Sequence, residues 1–206
     1  TDPDVVSRAD LVVLPGSRAT VSDLAWMRSR GLDEALRSRA ASGRPVLGIC
    51  GGYQMLAETI DDTGGVETGS AQTVPGLGML PINVRFEVDK HLGRPSGQWR
   101  GNAVTAYEIH HGVSTPSVRD HEAEPFLDGW CCGPVWGTTW HGAFENDAFR
   151  RAFLTEVASQ AGVPWRADVS APGFAVRREL MLDRLADAIE EHLDTTALAA
   201  IAGVDL

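Results

Sequence analysis

The residues best arranged to do chemistry are Gly48-Ile49-Cys50-Gly51-Gly52, in which a thiol stands between small residues two before it and two after it. The stretch follows Arg44-Pro45-Val46-Leu47 and reads as a strand-to-helix turn of the nucleophile-elbow kind. Such a turn strains the backbone of its central residue and leaves space only for small neighbours. The sulfur then projects above the sheet edge. The following helix N-terminus favours thiolate, and the Gly51 N–H is placed to stabilise a tetrahedral oxyanion. The competing reading is a buried cysteine in a glycine-rich turn. A thiol nucleophile needs a base. His141 follows an apolar stretch and precedes Gly142. His110 and His111 end another stretch, Glu108-Ile109-His110-His111-Gly112. Residue types and spacing leave the choice between them open. His91, His121 and His192 fall in loop or helix-surface contexts. Glu108 with the two adjacent histidines makes a weak metal site, because strand alternation sends neighbours to opposite faces. Gly16, in Leu14-Pro15-Gly16-Ser17, either completes an oxyanion hole with its N–H or forms a plain Pro-Gly turn.

The elements that must position these groups alternate between strand and helix. Leu11 to Leu14 is a short apolar run stopped by Pro15-Gly16 and reads as a buried parallel strand, after a polar lead-in from Thr1 to Asp10. A helix starting at Ser22 or Asp23 runs through Met27 until Gly31 breaks it, and a second spans about Leu32 to Ala41. Arg44 to Cys50 is the elbow strand and Tyr53 to Glu58 its helix, so the order argues for a right-handed α/β crossover and a mostly parallel, doubly wound sheet. Asp61 to Pro75 reads as a surface loop, Leu77 to Val88 as one or two strands, Lys90 to Gln98 as a turn, and Asn102 to Ile109 as a strand. Thr115 to Asp128 is irregular, Trp130 to Trp140 strand-like, and Asp147 to Gln160 a helix. Val163 to Gly173 is a linker. An amphipathic helix from Phe174 to Leu193 and a short one from Thr196 to Ala202 follow.

Composition excludes several classes. Over 206 residues the net charge is −10, so a general electrostatic grip on nucleic acid or on anionic lipid is not expected. No apolar run approaches the roughly 18 residues of a membrane span, and no N-terminal leader is visible. The three cysteines, Cys50, Cys131 and Cys132, make a poor disulfide framework and fit a reducing cytoplasm. Alkylation is expected to be faster at Cys50 than at the other two. No phosphate loop surrounds Lys90, the single lysine, so no ATP site is expected here.

Six stretches carry a family resemblance: Leu14 to Thr20 (Leu-Pro-Gly-Ser-Arg-Ala-Thr), Asp23 to Arg28, Gly48 to Leu56 (Gly-Ile-Cys-Gly-Gly-Tyr-Gln-Met-Leu), Gly76 to Pro81, Tyr107 to Gly112, and Trp140 to Asp147. In this order, and through Glu191-His192-Leu193-Asp194, the chain resembles the glutamine amidotransferase domain of the cobyric acid synthases. The resemblance implies a flavodoxin-like class I glutaminase fold, a single domain over residues 1–206, with its first elements upstream of Thr1. It implies that Cys50 attacks the side-chain amide of glutamine, that His141 shuttles the proton, and that the Gly51 and Gly16 N–H groups hold the oxyanion. Gln54, four residues after the thiol, would help seat glutamine, with Tyr53 beside it. No cofactor or metal is implied in this chain. ATP and Mg would belong to an N-terminal synthetase domain that amidates corrin carboxylates with the released ammonia. One departure stands out: the Glu that ordinary triad glutaminases carry two residues after the histidine is Ala143 here. Glu145, Asp147, Glu108, a carboxylate upstream, or a Cys–His dyad remain open. Other readings are the glutaminase of cobyrinate a,c-diamide synthase or of lipid II isoglutaminyl synthase, and a non-catalytic scaffold for an ATPase partner.

Overall fold

The structure, a computed structural model, describes residues 2–117 and 123–204. His121 and part of the segment read as irregular lie outside the described residues. The chain falls into two compact units, Thr1–Ala167 and Asp168–Leu206.

The first unit opens with α1 (Pro3–Arg8), where the sequence reads as a polar lead-in. Asp2 accepts the Asp4 N–H at 2.9 Å, and Pro3 supplies the fixed φ of a first helical position. Arg39 secures this segment. Only 2% exposed, its guanidinium donates to the carbonyls of Val6, Asp10 and Pro45 at 2.9, 2.8 and 3.0 Å. One side chain thereby ties α1 and Asp10 to the loop at Pro45.

The main sheet is ordered β1 (Val12–Leu14), β2 (Val46–Ile49), β11 (Val135–Thr138), β10 (Gly129–Cys132) and β9 (Glu124–Phe126). The pairs β1–β2 and β2–β11 are parallel, with Leu14 and Gly137 both registered on Gly48. The crossover between β1 and β2 carries α2 (Thr20–Ser29) and α3 (Leu32–Ala41), as the spacing predicts. β10 and β11 replace the single strand expected from Trp130 to Trp140. Gly133, at φ +54°, turns the chain, and so short a connection makes the pair antiparallel. A second sheet, ordered β4 (Gln72–Pro75), β3 (Thr59–Asp62), β5 (Ile82–Gly93) and β8 (Glu108–Pro116), takes in parts of the expected loop and turn. β6 (Ser96–Trp99) and β7 (Asn102–Thr105) form a hairpin. The expected α/β fold is therefore present, with mixed sheets in which β1–β2, β2–β11 and β3–β5 pair parallel and the other strand pairs are antiparallel.

Two clusters fill the interior of this unit. One, aliphatic, includes Leu24, Leu36, Val46, Leu56, Ile60 and Ile82. The other is aromatic, built on Trp99, Phe126, Trp136, Phe149 and Phe153, with Trp99 and Phe126 meeting edge to face at 5.9 Å. Phe149 and Phe153 come from α5 (Asp147–Ala161). The second unit contains α6 (Phe174–His192) and α7 (Thr195–Ala202), the latter capped by Asp194, which accepts the Ala197 N–H at 2.9 Å. Among the described residues, no helix is long and apolar enough to cross a membrane.

Candidate active site

The carboxyl ends of β1, β2 and β11 lie side by side, and the chain leaving each carries one sequence-identified residue: Gly16, Cys50 and His141. The crevice beyond such strand ends is where open α/β sheets bind ligands. α4 (Gly51–Met55) starts at once after Cys50, two residues earlier than the sequence suggests. Cys50 has φ +51° and ψ −113°, a conformation that side chains rarely adopt. The strain is held by the Cys50 N–H donating to Thr138 O at 2.8 Å and by Cys50 O accepting from the Gln54 N–H at 2.9 Å.

Close packing explains the flanking glycines. A Cβ on Gly48 would stand 2.7 Å from the Tyr53 Cα, and one on Gly52 would stand 2.1 Å from the Leu14 carbonyl oxygen. Gly16 has a different task. A Cβ there would lie 3.1 Å from Cε1 of His141 and 3.6 Å from Cβ of Cys50, so imidazole and thiol flank one point and a side chain there would press on the imidazole. His141 is thus brought to the thiol. Its Nε2 is buried without a hydrogen-bond partner among the described residues.

The electrostatics correct one expectation. Burial pushes the Cys50 thiol up, and the charge of Asp128 adds to this, while the Gly51 N–H and Lys90 oppose it without prevailing. At 6% exposure the loss of hydration disfavours the thiolate and favours the thiol. Burial, helped by the charge of His110, likewise lowers His141 and keeps it neutral.

A cavity of about 260 Å³ adjoins Cys50. Gln54 lies at its wall, 3% exposed, with Nε2 3.5 Å from Gly112 O and Oε1 accepting from Thr20 Oγ1 at 3.4 Å. His110 also lines it, and the His91 ring stacks on His110 at a centroid distance of 5.3 Å. His110 Nδ1 donates to Gly112 O at 2.9 Å. His110 Nε2 is buried with no hydrogen-bond partner among the described residues, and Glu108 Oε2 is its ion-pair neighbour. Arg18, Lys90 and Glu67 bring charge to the walls. Both Glu67 oxygens are buried without a hydrogen bond of ordinary length among the described residues, facing the Thr20 amide and hydroxyl and the Val21 amide. Burial pushes that carboxyl up.

The site therefore gathers Cys50, His141, Gly16, Gly51 and Gln54. It does not gather Tyr53, which is fully buried in the core with its ring against Gly137 and its hydroxyl donating to Ser114 Oγ at 3.0 Å. Helical geometry explains the correction: adjacent residues of α4 cannot share a face, and Gln54 takes the cavity side. Sequence reasoning gave no role to Glu67, Lys90 or Asp128. Asp128 accepts from the Thr138 and Thr139 hydroxyls and from the Thr139 N–H at 3.1 Å, bracing the strand end that leads to His141. Lys90 enters the wall because the β5–β8 register breaks between Phe86 and His91, an irregularity with no sequence signature. The open carboxylates are accounted for elsewhere: Glu108 Oε2 is 3.8 Å from His110 Nε2, Asp147 pairs with Arg150, and Glu145 Oε1 lies beside Gly142. Among the described residues, no group of three or more His, Cys, Asp or Glu is arranged to hold a metal ion.

A thiol at a strained strand-to-helix turn, a neutral imidazole beside it and a polar cavity together make an arrangement able to transfer an acyl group from an amide. A solved structure described as a glutamine amidotransferase has the same fold, with a TM-score of 0.54 at 17% identity over 79% of this chain and 84% of that one. Proteins named cobyric acid synthase are 53% identical in Cutibacterium acnes over 94% of this chain, and 57% identical in Streptomyces avermitilis over 95% of it. These alignments cover 40% and 38% of the two relatives, so the chain spans about two fifths of their length. Residues 1–149, which include every group gathered at the site, match the CobB/CobQ-like glutamine amidotransferase domain, and the chain belongs to that family.

Proposed function

We propose that this chain is the glutaminase part of a cobyric acid synthase, hydrolysing glutamine to glutamate and passing on the ammonia. The observation that carries the reading is Gly16, at whose missing Cβ the Cys50 and His141 side chains converge. Glutamine enters the cavity with its carboxamide toward Cys50. Its α-ammonium group meets the buried Glu67 carboxylate, and Arg18 and Lys90 receive its α-carboxylate. His141 takes the thiol proton as Sγ attacks the carboxamide carbon, and the Gly51 and Gly16 N–H groups receive the developing oxyanion. The tetrahedral species collapses as His141 returns the proton to the leaving nitrogen. Ammonia departs and a γ-glutamyl thioester remains. His141 then draws a proton from water, which attacks the thioester; glutamate leaves and the thiol is restored.

The remaining three fifths of such a synthase would supply the ATP- and Mg-dependent synthetase domain, where ammonia amidates corrin carboxylates, and the whole would work in the cytoplasm. The relatives' shared name favours this over cobyrinate a,c-diamide synthase, lipid II isoglutaminyl synthase or a non-catalytic scaffold. The test is glutamine-dependent ammonia release. Cys50→Ala and His141→Ala should each reduce kcat at least about a thousandfold. A Cys50→Ala protein that still releases ammonia, or loss in His110→Ala but not in His141→Ala, would refute the assignment.

A further inference from the structure

His141 has no carboxylate two residues on, and the influences that act on its ring are burial and the charge of His110. The imidazole nonetheless has a neighbour over its face. Tyr107 stacks on it with ring centroids 5.2 Å apart and planes within 14° of parallel. The two main chains are clamped together: the His141 N–H donates to Tyr107 O at 2.8 Å, and the Tyr107 N–H donates to His141 O at 3.0 Å. Gly142 keeps the approach open, since a Cβ there would lie 3.3 Å from Tyr107 Cε1. Tyr107 is 48% exposed, an unusual place for a large ring that serves only the core. We propose that Tyr107 is the positioning residue for His141, holding the plane of the imidazole by face-to-face stacking. This deepens the glutaminase reading and rests on it.

In serine-type sites a carboxylate both orients the catalytic histidine and stabilises the imidazolium that forms in the reaction. An aromatic face supplies the same two services by other means. Stacking removes rotation about the ring's long axis, and the negative π face attracts the imidazolium cation. The phenol hydroxyl has no part in either, so phenylalanine substitutes and an aliphatic side chain does not. Because the ring acts on the histidine and not on bound glutamine, its loss falls on kcat and spares KM.

The experiment measures glutamine hydrolysis and the His141 side-chain proton resonances in the wild type, Tyr107→Phe, Tyr107→Leu and Cys50→Ser. Expected are wild-type kcat within about twofold for Tyr107→Phe, and a fall in kcat of about ten- to a hundredfold for Tyr107→Leu with KM within about twofold. In the resting wild type and in Tyr107→Phe, the His141 ring protons are shifted upfield by the stacked ring, and in Tyr107→Leu the shift is gone. Unshifted His141 protons in the wild type overturn the stack whatever the variants do. Wild-type kcat in Tyr107→Leu, with hydrolysis abolished in Cys50→Ser, overturns the positioning role alone. Hydrolysis that survives in Cys50→Ser overturns the glutaminase reading of the site.

Discussion

Burial acts on Cys50 and His141 in opposite senses, pushing the thiol up and the imidazole down, so the pair rests uncharged between them. A neutral pair differs from a thiolate–imidazolium pair in what it needs from substrate. Proton transfer accompanies attack, and the carboxamide must already be seated. The pH dependence follows from the sign of each shift. His141 accepts a proton only while neutral, and its lowered value extends the neutral form below the ordinary histidine value of 6.5. The acid limb of kcat/KM for glutamine is therefore expected on the acid side of pH 6.5. The raised thiol keeps the alkaline side flat past its ordinary 9.0. The two groups titrate as a coupled pair, so the limbs belong to the pair. A pH–rate profile of ammonia release checks this, and an acid limb above 6.5 would contradict it. Cys131, whose thiol burial pushes up to about 11, stays unreactive across the same range.

At the scale of elements, the cavity depends on the segment between β3 and β4. Asp62 is fully buried and gathers it. Its carboxylate accepts the N–H groups of Val66 at 2.7 Å and Thr68 at 2.9 Å, and the Thr68 hydroxyl at 2.8 Å. Burial alone would push this carboxyl up, but the bonds from Thr68, Val66 and Glu67 outweigh it and hold it below the ordinary carboxylate value. The tie carries Val66 and Glu67 to the cavity wall. Asp62→Ala should therefore raise KM for glutamine about tenfold or more while leaving kcat within about threefold, since the Cys50–Gly16–His141 constellation stands on other strands. Steady-state kinetics decide it, and an unchanged KM would separate the segment from substrate binding. This is also where the sequence was least legible. The elbow announced itself because its steric demand is local: Gly48 and Gly52 have no room for a Cβ, and that demand is written within five residues of the thiol. The crossover helices were readable for the same reason. The Asp62 tie, the break in β5 that admits Lys90, and the turn at Gly133 depend on partners far along the chain, and Asp61 to Pro75 shows only the composition of a loop. Tyr107 and His141 stood in two of the quoted motifs, but their contact is a bridge between distant segments that spacing cannot display.

For the whole molecule, the burial of apolar surface is unevenly shared. Both hydrophobic clusters are drawn from residues of the first unit, the last of them Val157. Neither α6 nor α7 contains a buried residue, and Leu180, Leu185 and Ile189 of α6 are each at least 39% exposed. Since stability is dominated by buried apolar area, and helices with little of it are marginal alone, the two units should differ in autonomy. Every residue of the candidate active site also lies in the first unit, as does the whole of the matched family domain. Ending the chain at Ala167 should therefore preserve a cooperative thermal transition, with Tm within about 5 °C of the longer chain, a shift on the order of 1 kcal/mol for a domain of this size. The alkylation of Cys50 by a glutamine-like electrophile should persist in the shortened chain, which probes the site without requiring a synthetase. Loss of the cooperative transition would mean that residues 168–206 contribute to the fold of the first unit. A preserved transition with Cys50 no longer labelled would mean that they contribute to the site. The relatives' alignments extend over 94% and 95% of the chain and so reach into the second unit.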